Sequence, residues 1–285
     1  MLIRVLAAGL FLSVAPMTAA VAQTAPAATA AAFEARHLMI PAPDGRTIDI
    51  SVWAAPEERG VIVFSSGFNS TPAAYHRILS EWVSHGYTIV VPLHVDSLQH
   101  PEHDKYDKTQ AFATRIMDVA VARGVARSMA PGKPIIAAGH SFGSLISAIE
   151  GGAVTVAGAH GDPEVKGVIE LSSPGIIQGL VTPTTYATLD KPLLVITGDK
   201  DVVPGFATDW HDHRAAFDSS PAGDKTLLIF ADGDHQLIGR ADDADFAVIV
   251  EATEAFLDAY ALNDAAAKAR LAALTAPDGV TIERR

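Results

Sequence analysis

The chain has 285 residues, of which 49% are hydrophobic and 19% charged, enough apolar material for one large domain with its own core. Its formal net charge of −12 argues against nucleic acid or an anionic lipid surface as the main partner. The sequence contains no cysteine, which excludes disulfides, thiol catalysis and cysteine-bound metals. The fold must therefore be held by packing alone.

The N-terminus has the pattern of an export signal. Arg4 precedes an apolar run over residues 5–14, and Ala20-Val21-Ala22 resembles a small-residue cleavage site, which predicts a signal peptide over residues 1–22. The run is shorter than the roughly 20 residues that span a bilayer, so we expect no stable membrane insertion and a secreted or periplasmic protein. The Ala/Thr/Pro-rich residues 23–36 then predict a flexible linker.

The catalytic domain, predicted over residues 37–262, alternates apolar β-rich runs with amphipathic stretches. The predicted strands are residues 46–53, 60–65, 87–92, 134–139, 165–171, 192–197 and 225–231. The predicted helices are residues 72–85, 109–129, 141–153, 205–217 and 242–260. Continuous apolar strands separated by helices favour an α/β fold with a mainly parallel sheet covered on both faces.

Both ends of this domain depart from the βα alternation. Only residues 54–59 separate the first two predicted strands, too few for a crossover helix, so this edge of the sheet should be antiparallel. Residues 263–285 form a C-terminal appendage, predicted as an Ala-rich helix over 263–274 and an extended tail over 275–285.

The central motif is Gly139-His140-Ser141-Phe142-Gly143, a G-x-S-x-G sequence. It follows the apolar strand 134–139 and opens the helix 141–153, which is the setting of a nucleophile elbow. Glycine permits the sharp turn, and the helix N-terminus favours developing negative charge beside the serine. Ser141 is therefore the candidate nucleophile. A chance G-x-S-x-G match would not be expected to lie between an apolar strand and a helix.

A serine hydroxyl needs a base, and the base needs an acceptor that orients it. Of eleven histidines, His235 follows the last predicted strand of the domain, where the order Ser, Asp, His places the base. Asp199 and Asp201 both follow strand 192–197, and either could reach inward. We assign Asp201 as the acceptor and Asp199 as a turn former, because aspartate is common in turns.

Two main-chain N–H groups are expected to hold the oxyanion. The N–H of Phe142 directly follows the nucleophile, and that of Phe68 lies in the loop after strand 60–65. Core packing would explain both phenylalanine side chains equally well, and the two roles are compatible because only the main chain donates.

Over residues 38–262 the chain resembles the α/β-hydrolase superfamily. Within it the chain is most similar to the dienelactone hydrolase, platelet-activating-factor acetylhydrolase and polyester hydrolase-like group. The segments that carry the likeness are SSGFNSTPAAY, the helix with Arg115 and Asp118, GHSFG, and TGDKDVVP followed by GDH. The resemblance implies an eight-stranded sheet, carboxylester hydrolysis and no cofactor. Ser66 departs from the histidine of many relatives, and Ser144 departs from a common glycine.

A polar cluster follows strand 87–92 and consists of His94, Asp96, His100, His103 and Asp104. Imidazole and carboxylate suit zinc, but a solvated loop bordering the cleft is the simpler interpretation, so we predict no metal site. His211 and His213 are assigned in the same way to a surface helix.

The segment between strands 165–171 and 192–197 is too short for a multi-helix cap, which predicts an open cleft. We expect it to be lined by Phe68, Phe142, Pro174 and Ile176, together with Ile177. The sequence thus predicts a serine esterase acting on a small or lipid-like ester. A serine peptidase of related fold and a non-catalytic binding protein on the same scaffold remain alternatives.

Overall fold

The structure is a computed structural model that describes residues 33–285, so the predicted signal peptide and residues 23–32 of the predicted linker lie outside the described residues. The strands are β1 (Arg36–Pro41), β2 (Thr47–Trp53), β3 (Gly60–Ser65), β4 (Tyr87–Pro92), β5 (Ile135–His140), β6 (Val154–Thr155), β7 (Gly158–Ala159), β8 (Val165–Leu171), β9 (Leu193–Gly198), β10 (Lys225–Phe230) and β11 (Val280–Arg284). The helices are α1 (His76–Ser84), α2 (Lys108–Met129), α3 (Phe142–Gly151), α4 (Ala215–Ser219), α5 (Leu237–Arg240), α6 (Asp243–Ala261) and α7 (Ala265–Ala273).

Nine of these strands form one sheet in the order β1-β2-β4-β3-β5-β8-β9-β10-β11. The six strands from β4 to β10 in that order are parallel, whereas β1, β2 and β11 add antiparallel edges. Strands β3, β4, β5, β9 and β10 are buried along their whole length, as expected for parallel strands covered on both faces. The carboxyl ends of the parallel strands therefore meet at one edge, where their loops can converge.

Helices cover both faces of the sheet. The alternation of side chains along β3 sends Val61 and Val63 to the face covered by α2, α3 and α4. Phe64 points to the opposite face and contacts the ring of Trp82 on α1. The Trp82 indole N–H donates to Thr253 of α6 over 3.0 Å, which ties the two helices of that second layer together.

The antiparallel edge differs in detail from the prediction. Strand β2 does run antiparallel, but it pairs with β4, and β4 lies between β2 and β3. The short connection 54–59 therefore crosses over one strand instead of joining neighbours. The edge strand β1 begins at Arg36, the last residue of the predicted linker.

The C-terminal tail is part of the sheet. Strand β11 pairs antiparallel with β10 from Thr226↔Arg284 to Phe230↔Val280, so the sheet has nine strands where the resemblance implied eight. Arg214 reaches across to Glu283 and binds its carboxylate with both guanidinium ends, at 2.6 and 2.9 Å. Main-chain pairing, this ion pair and the buried side chain of Val280 all hold the segment.

The helix predicted over 205–217 is shorter than expected. A tight helical turn occupies Trp210–Arg214 and continues directly into α4, while residues before Trp210 form loop and bend. No helix in the described residues is both long and apolar enough to cross a membrane.

Candidate active site

Ser141 stands on a sharp turn between β5 and α3, with φ 53° and ψ −123°. A Cβ added at Gly139 would lie 2.3 Å from the Gly143 carbonyl oxygen, and one added at Gly143 would lie 1.9 Å from the Ser65 oxygen. Both motif glycines are therefore required by close backbone approach, and they let the elbow press into the end of β3. A non-glycine residue at positive φ costs free energy and is typical of functional sites.

The three residues predicted as a triad meet at the carboxyl edge of the sheet. His235 Nε2 lies 2.9 Å from Ser141 Oγ, and His235 Nδ1 lies 2.7 Å from Asp201 Oδ1. Both distances are those of good hydrogen bonds. Since the carboxylate can only accept, Nδ1 carries the proton and Nε2 is left free to take the serine proton.

The Asp201 carboxylate is buried and well supplied with donors. Thr197 Oγ1 donates to Oδ2 over 2.9 Å, while His213 and His235 both face Oδ1. Burial alone would raise the pKa of Asp201, but the hydrogen bonds and charges of His213 and His235 outweigh burial and hold that pKa well below its ordinary value. Asp201 is therefore ionised near pH 7.

Asp199 lies elsewhere, as the assignment of a turn former requires. Its Oδ1 accepts the N–H of Asp232 over 2.7 Å, which joins the loop after β9 to the loop after β10. A Cβ added at Gly198 would lie 2.1 Å from the Gly233 oxygen, so glycine there allows the same two loops to touch. This close approach is what brings the Asp201 and His235 loops together.

The prediction of a surface helix is wrong for His213, which is fully buried. Its Nε2 lies 3.1 Å from Asp201 Oδ1 and 2.7 Å from the Asp201 main-chain oxygen. His211, two residues away, is exposed and bonds to Asp209 over 2.6 Å, as predicted for this segment. The helical turn thus has one solvent-facing histidine and one that faces the site.

The loop Ser66–Asn69 brings the predicted oxyanion donor Phe68 beside Ser141. Arg115 of α2 is fully buried and donates to the carbonyl oxygens of Ser66 and Gly67 over 2.6 and 3.0 Å. Among residues 33–285, no main-chain acceptor outside the helices and strands is bonded to the N–H of Phe68 or of Phe142. They remain available to an oxygen placed at Ser141.

Part of the polar cluster after β4 is buried, which corrects its interpretation as a solvated loop. Asp96 forms a two-pronged ion pair with Arg115, at 2.8 and 2.7 Å. His94 is fully buried between Ser65 Oγ and Asp118 Oδ2, each at 2.9 Å. The burial and the nearby Arg115 lower the pKa of His94. These side chains pack against the loop Ser66–Asn69 and the end of β3, whereas the rest of the cluster, His100, His103 and Asp104, lies nearer the surface.

A chain of hydrogen bonds connects the loop Ser66–Asn69 to the loop of His235. The Gly67 N–H donates to Tyr75 Oη over 2.8 Å, Tyr75 Oη lies 3.0 Å from His140 Nδ1, and His140 Nε2 donates to the His235 main-chain oxygen over 3.0 Å. Burial, followed by the neighbouring His235, lowers the pKa of His140 to about 4. His140 is therefore neutral near pH 7, and the chain stays intact there.

A cavity of about 500 Å³ opens at Ser141. Its lining is mainly apolar and includes three residues predicted for the cleft, Phe68, Phe142 and Pro174, together with Ile177. Ile176 does not line it and is 56% exposed, because its neighbour Ile177 is the residue that points inward. Residues that the sequence did not suggest complete the wall, namely Lys108, Thr109, Val156, Gln178, Gly179, Leu180, Val203, Phe206 and Ala207. A smaller, more polar cavity of about 140 Å³ lies on the other side of Ser141.

Within the described residues, one group of acidic and imidazole side chains converges as metal ligands would. The ligand atoms of Asp201, His213 and His235 all lie within 4.8 Å of one another. Hydrogen bonds among these residues and to Ser141 and Thr197 already use the same atoms, so we assign no metal to them.

Comparison with known proteins gives structural neighbours only. No protein-family model matches the sequence, and neither does any curated protein. Esterase 2 of Thermogutta terrifontis, solved phosphoramylated by tabun, superposes with a TM-score of 0.58 at 15% identity, covering 78% of this chain and 93% of the other. The same esterase phosphorylated by paraoxon gives 0.58 and 15%, with 79% and 93% covered. The esterase domain of a Rhodothermus marinus protein gives 0.56 and 16%, with 80% and 99% covered.

At this level of identity the neighbours establish the fold, which is the α/β-hydrolase fold, as predicted. The mostly parallel sheet and the elbow between β5 and α3 agree with it. A fold can host many activities, so the fold alone does not determine the chemistry of this site.

Proposed function

We propose that the protein is a serine hydrolase that cleaves carboxylic esters through an acyl-Ser141 intermediate. The proposal rests on the position of His235. Its Nε2 lies 2.9 Å from Ser141 Oγ, and its Nδ1 lies 2.7 Å from Asp201 Oδ1. A serine, a base and an orienting carboxylate in this geometry activate the hydroxyl for attack on a carbonyl.

In the first half of the reaction Ser141 Oγ attacks the ester carbonyl carbon while His235 Nε2 takes the hydroxyl proton. The carbonyl oxygen becomes an oxyanion, and the N–H groups of Phe68 and Phe142 donate to it. The intermediate then collapses. His235 returns the proton to the alkoxy oxygen, the alcohol leaves, and the acyl group stays on Ser141.

In the second half water takes the place of the alcohol. His235 Nε2 removes a proton from water as it attacks the acyl carbon, and the same two N–H groups hold the oxyanion. The proton returns to Ser141 Oγ as the acid is released. Asp201 remains ionised throughout and stabilises the imidazolium form of His235 in both halves.

The cavity supports an ester with an apolar portion. Phe68, Phe142, Phe206, Leu180 and Ile177 line it, and apolar side chains of this kind suit the hydrocarbon part of an ester. The segment 172–192 between β8 and β9 carries only a short helical turn, Thr185–Thr188, so there is no cap to select peptides. An ester substrate thus fits better than a peptide.

Two finer assignments belong to the same proposal. The motifs SSGFNSTPAAY and TGDKDVVP favour the dienelactone hydrolase, platelet-activating-factor acetylhydrolase and polyester hydrolase-like group. The Arg4 region with its apolar run favours export, so the substrate would be met outside the cytoplasm.

A matched set of chromogenic substrates tests the proposal. The purified protein should hydrolyse p-nitrophenyl esters of increasing acyl length and leave p-nitroanilides of the same acyl groups essentially uncleaved. Anilide turnover comparable to ester turnover would point to a peptidase. A folded protein that turns over no ester would point to a binding protein on this scaffold.

A further inference from the structure

His213 is a fully buried histidine that the proposed mechanism does not use. It lies in the helical turn Trp210–Arg214, which packs on the loop that follows β8. Gly175 in that loop has φ 67°, and a Cβ there would lie 2.4 Å from the Asp212 main-chain oxygen. Glycine therefore permits the close approach that places the His213 ring against Asp201.

Both ring nitrogens of His213 face oxygen atoms that can only accept hydrogen bonds. Nδ1 contacts the main-chain oxygen of Ser173. Nε2 lies 2.7 Å from the main-chain oxygen of Asp201 and 3.1 Å from its Oδ1. Neutral imidazole has one N–H and one lone pair, so either neutral tautomer would turn a lone pair toward an acceptor at hydrogen-bond distance.

A protonated ring satisfies all of these contacts. Imidazolium donates from both nitrogens, and its charge offsets that of the buried Asp201 carboxylate, as buried ions require. Burial alone would lower the pKa of His213, but the hydrogen bond and charge of Asp201 raise it above its ordinary value. The raised pKa and the hydrogen-bond geometry therefore both favour the protonated form of His213.

We propose that His213 is a positively charged positioning residue that donates from both ring nitrogens and, together with Thr197, fixes the Asp201 carboxylate beneath His235. This inference rests on the proposed function, because Asp201 matters only if His235 is the base. In this role the positive charge of His213 also offsets part of the attraction that the Asp201 carboxylate exerts on a protonated His235. His235 is then held by a strong acceptor without being over-stabilised in its protonated form.

Three titratable groups surround His213 from the elements packed against it. Asp201 belongs to the loop after β9. His235 belongs to the loop after β10, with its ring centroid 6.0 Å from that of His213. His140 at the end of β5 interacts with His213 through charge, but its low pKa keeps it neutral near pH 7. The loop after β8 contributes only the Ser173 carbonyl.

Nitrogen-15 NMR of histidine-labelled protein tests the protonation directly. At pH 7 both His213 ring nitrogens should have the shifts of protonated nitrogen, each with a ring proton attached. The signals are assigned as those that disappear in His213→Gln, with His211→Gln as the matched control in the same turn. A His213 nitrogen with the shift of an unprotonated imidazole nitrogen at pH 7 would overturn the proposal.

The pH profile of kcat/KM tests what the charge does. Gln can still donate a hydrogen bond to Asp201 but has no charge, so His213→Gln should lower kcat/KM at pH 7 about tenfold. It should also shift the acid limb to higher pH by about half a unit or more, since His235 then holds its proton more readily. His211→Gln should leave both unchanged. A loss of activity without movement of the limb would reduce His213 to a structural role and overturn the proposal.

The two readouts separate this inference from the proposed function. If the wild-type protein hydrolyses no ester, the proposed function fails whatever the spectrum shows. If the wild-type enzyme is active but His213 carries a single ring proton, only the role of His213 fails. Should His213→Gln not fold, the signals are assigned in the wild-type protein through ring-to-Ser173 contacts, and the NMR result still decides.

Discussion

Two fully buried carboxyl groups, one in β8 and one in the loop that follows the neighbouring strand β9, have opposite surroundings. Asp201, three residues beyond the end of β9, faces His235, His213 and Thr197, and its pKa lies well below the ordinary value. Glu170 in β8 has no well-formed hydrogen bond to either carboxyl oxygen. Burial raises its pKa to about 8, and the Ser173 hydroxyl opposes that shift only in part.

The difference shows that burial alone does not decide the charge of a group. Removing a carboxylate from water disfavours its ionised form by several pKa units unless donors replace the water. Asp201 has such donors and can serve as a permanent anion beneath His235. Glu170 has only the Ser173 hydroxyl nearby, and burial keeps it mostly neutral near pH 7. It therefore adds little charge at the carboxyl edge of the sheet, although it lies close by in β8.

Removing the charge of Asp201 should give the largest effect. Asp201→Asn keeps the shape but favours the wrong tautomer of His235, so we expect turnover of a p-nitrophenyl ester to fall about 10⁴-fold. Asp199→Asn keeps a side-chain oxygen that can still accept the Asp232 N–H, and it should cost less than about tenfold. The two variants are assayed together after circular dichroism shows that both are folded. Collapse of Asp199→Asn with survival of Asp201→Asn would reverse the assignment.

Glu170→Gln tests whether burial keeps the Glu170 carboxyl protonated, through its effect on the free energy of unfolding. The folded-state pKa of about 8 lies above the ordinary 4.5, so stability from this group is fully present below pH 4.5 and is lost as pH rises towards 8. The variant should therefore exceed the wild type in free energy of unfolding by about 2–4 kcal/mol at pH 8 and by little at pH 4.5.

Urea unfolding at a series of pH values measures this difference, with exposed Glu251→Gln as the control. Titration of Asp201 is common to all three proteins and cancels in the comparison. A gap between Glu170→Gln and the wild type that is the same at pH 5 and pH 8 would mean that Glu170 ionises normally.

Tyr75→Phe tests whether the hydrogen-bond chain from Gly67 to His235 is needed to position the two loops beside Ser141. It removes the hydroxyl that accepts from Gly67 and bonds to His140, so the loop Ser66–Asn69 loses its link to the His235 loop. We expect kcat to fall about tenfold with little change in KM, because the lost contact supports the transition state. Tyr106→Phe, outside the network, is the control. Unchanged kcat in Tyr75→Phe would show that Arg115 alone suffices to hold the loop.

Removal of metal should have the smallest effect. His94 and Asp96 are engaged by Ser65, Asp118 and Arg115, and the atoms of Asp201, His213 and His235 hold one another. Prolonged treatment with a chelator should therefore leave ester turnover unchanged. Activity that is lost on chelation and restored by zinc would refute this.

The sequence was most informative where a local pattern dictates geometry. The elbow could be predicted because Gly139 and Gly143 frame Ser141 between an apolar strand and a helix. The order Ser, Asp, His then indicated His235 and the loop after strand 192–197, where Asp201 was assigned over Asp199. All three side chains do meet in the structure.

Features that depend on tertiary contact escaped the sequence. Nothing in Trp210–Arg214 distinguishes the buried His213 from the exposed His211, because the contact comes from the fit against Gly175 and Asp201. The burial of the loop residue Asp96 was missed because its partner Arg115 is nineteen positions away on α2. Strand β11 has a charged, weakly apolar sequence, and only pairing with β10 makes it a strand.

The most direct test of the central claim is the intact mass of the protein after exposure to a fluorophosphonate, which reacts with an activated serine. We expect one adduct per chain, located by peptide mapping at Ser141, and none on folded Ser141→Ala. Strong loss of labelling in Asp201→Asn should accompany this result. An unlabelled wild-type protein, or an adduct that persists in Ser141→Ala, would contradict the claim that Ser141 is the nucleophile of this site.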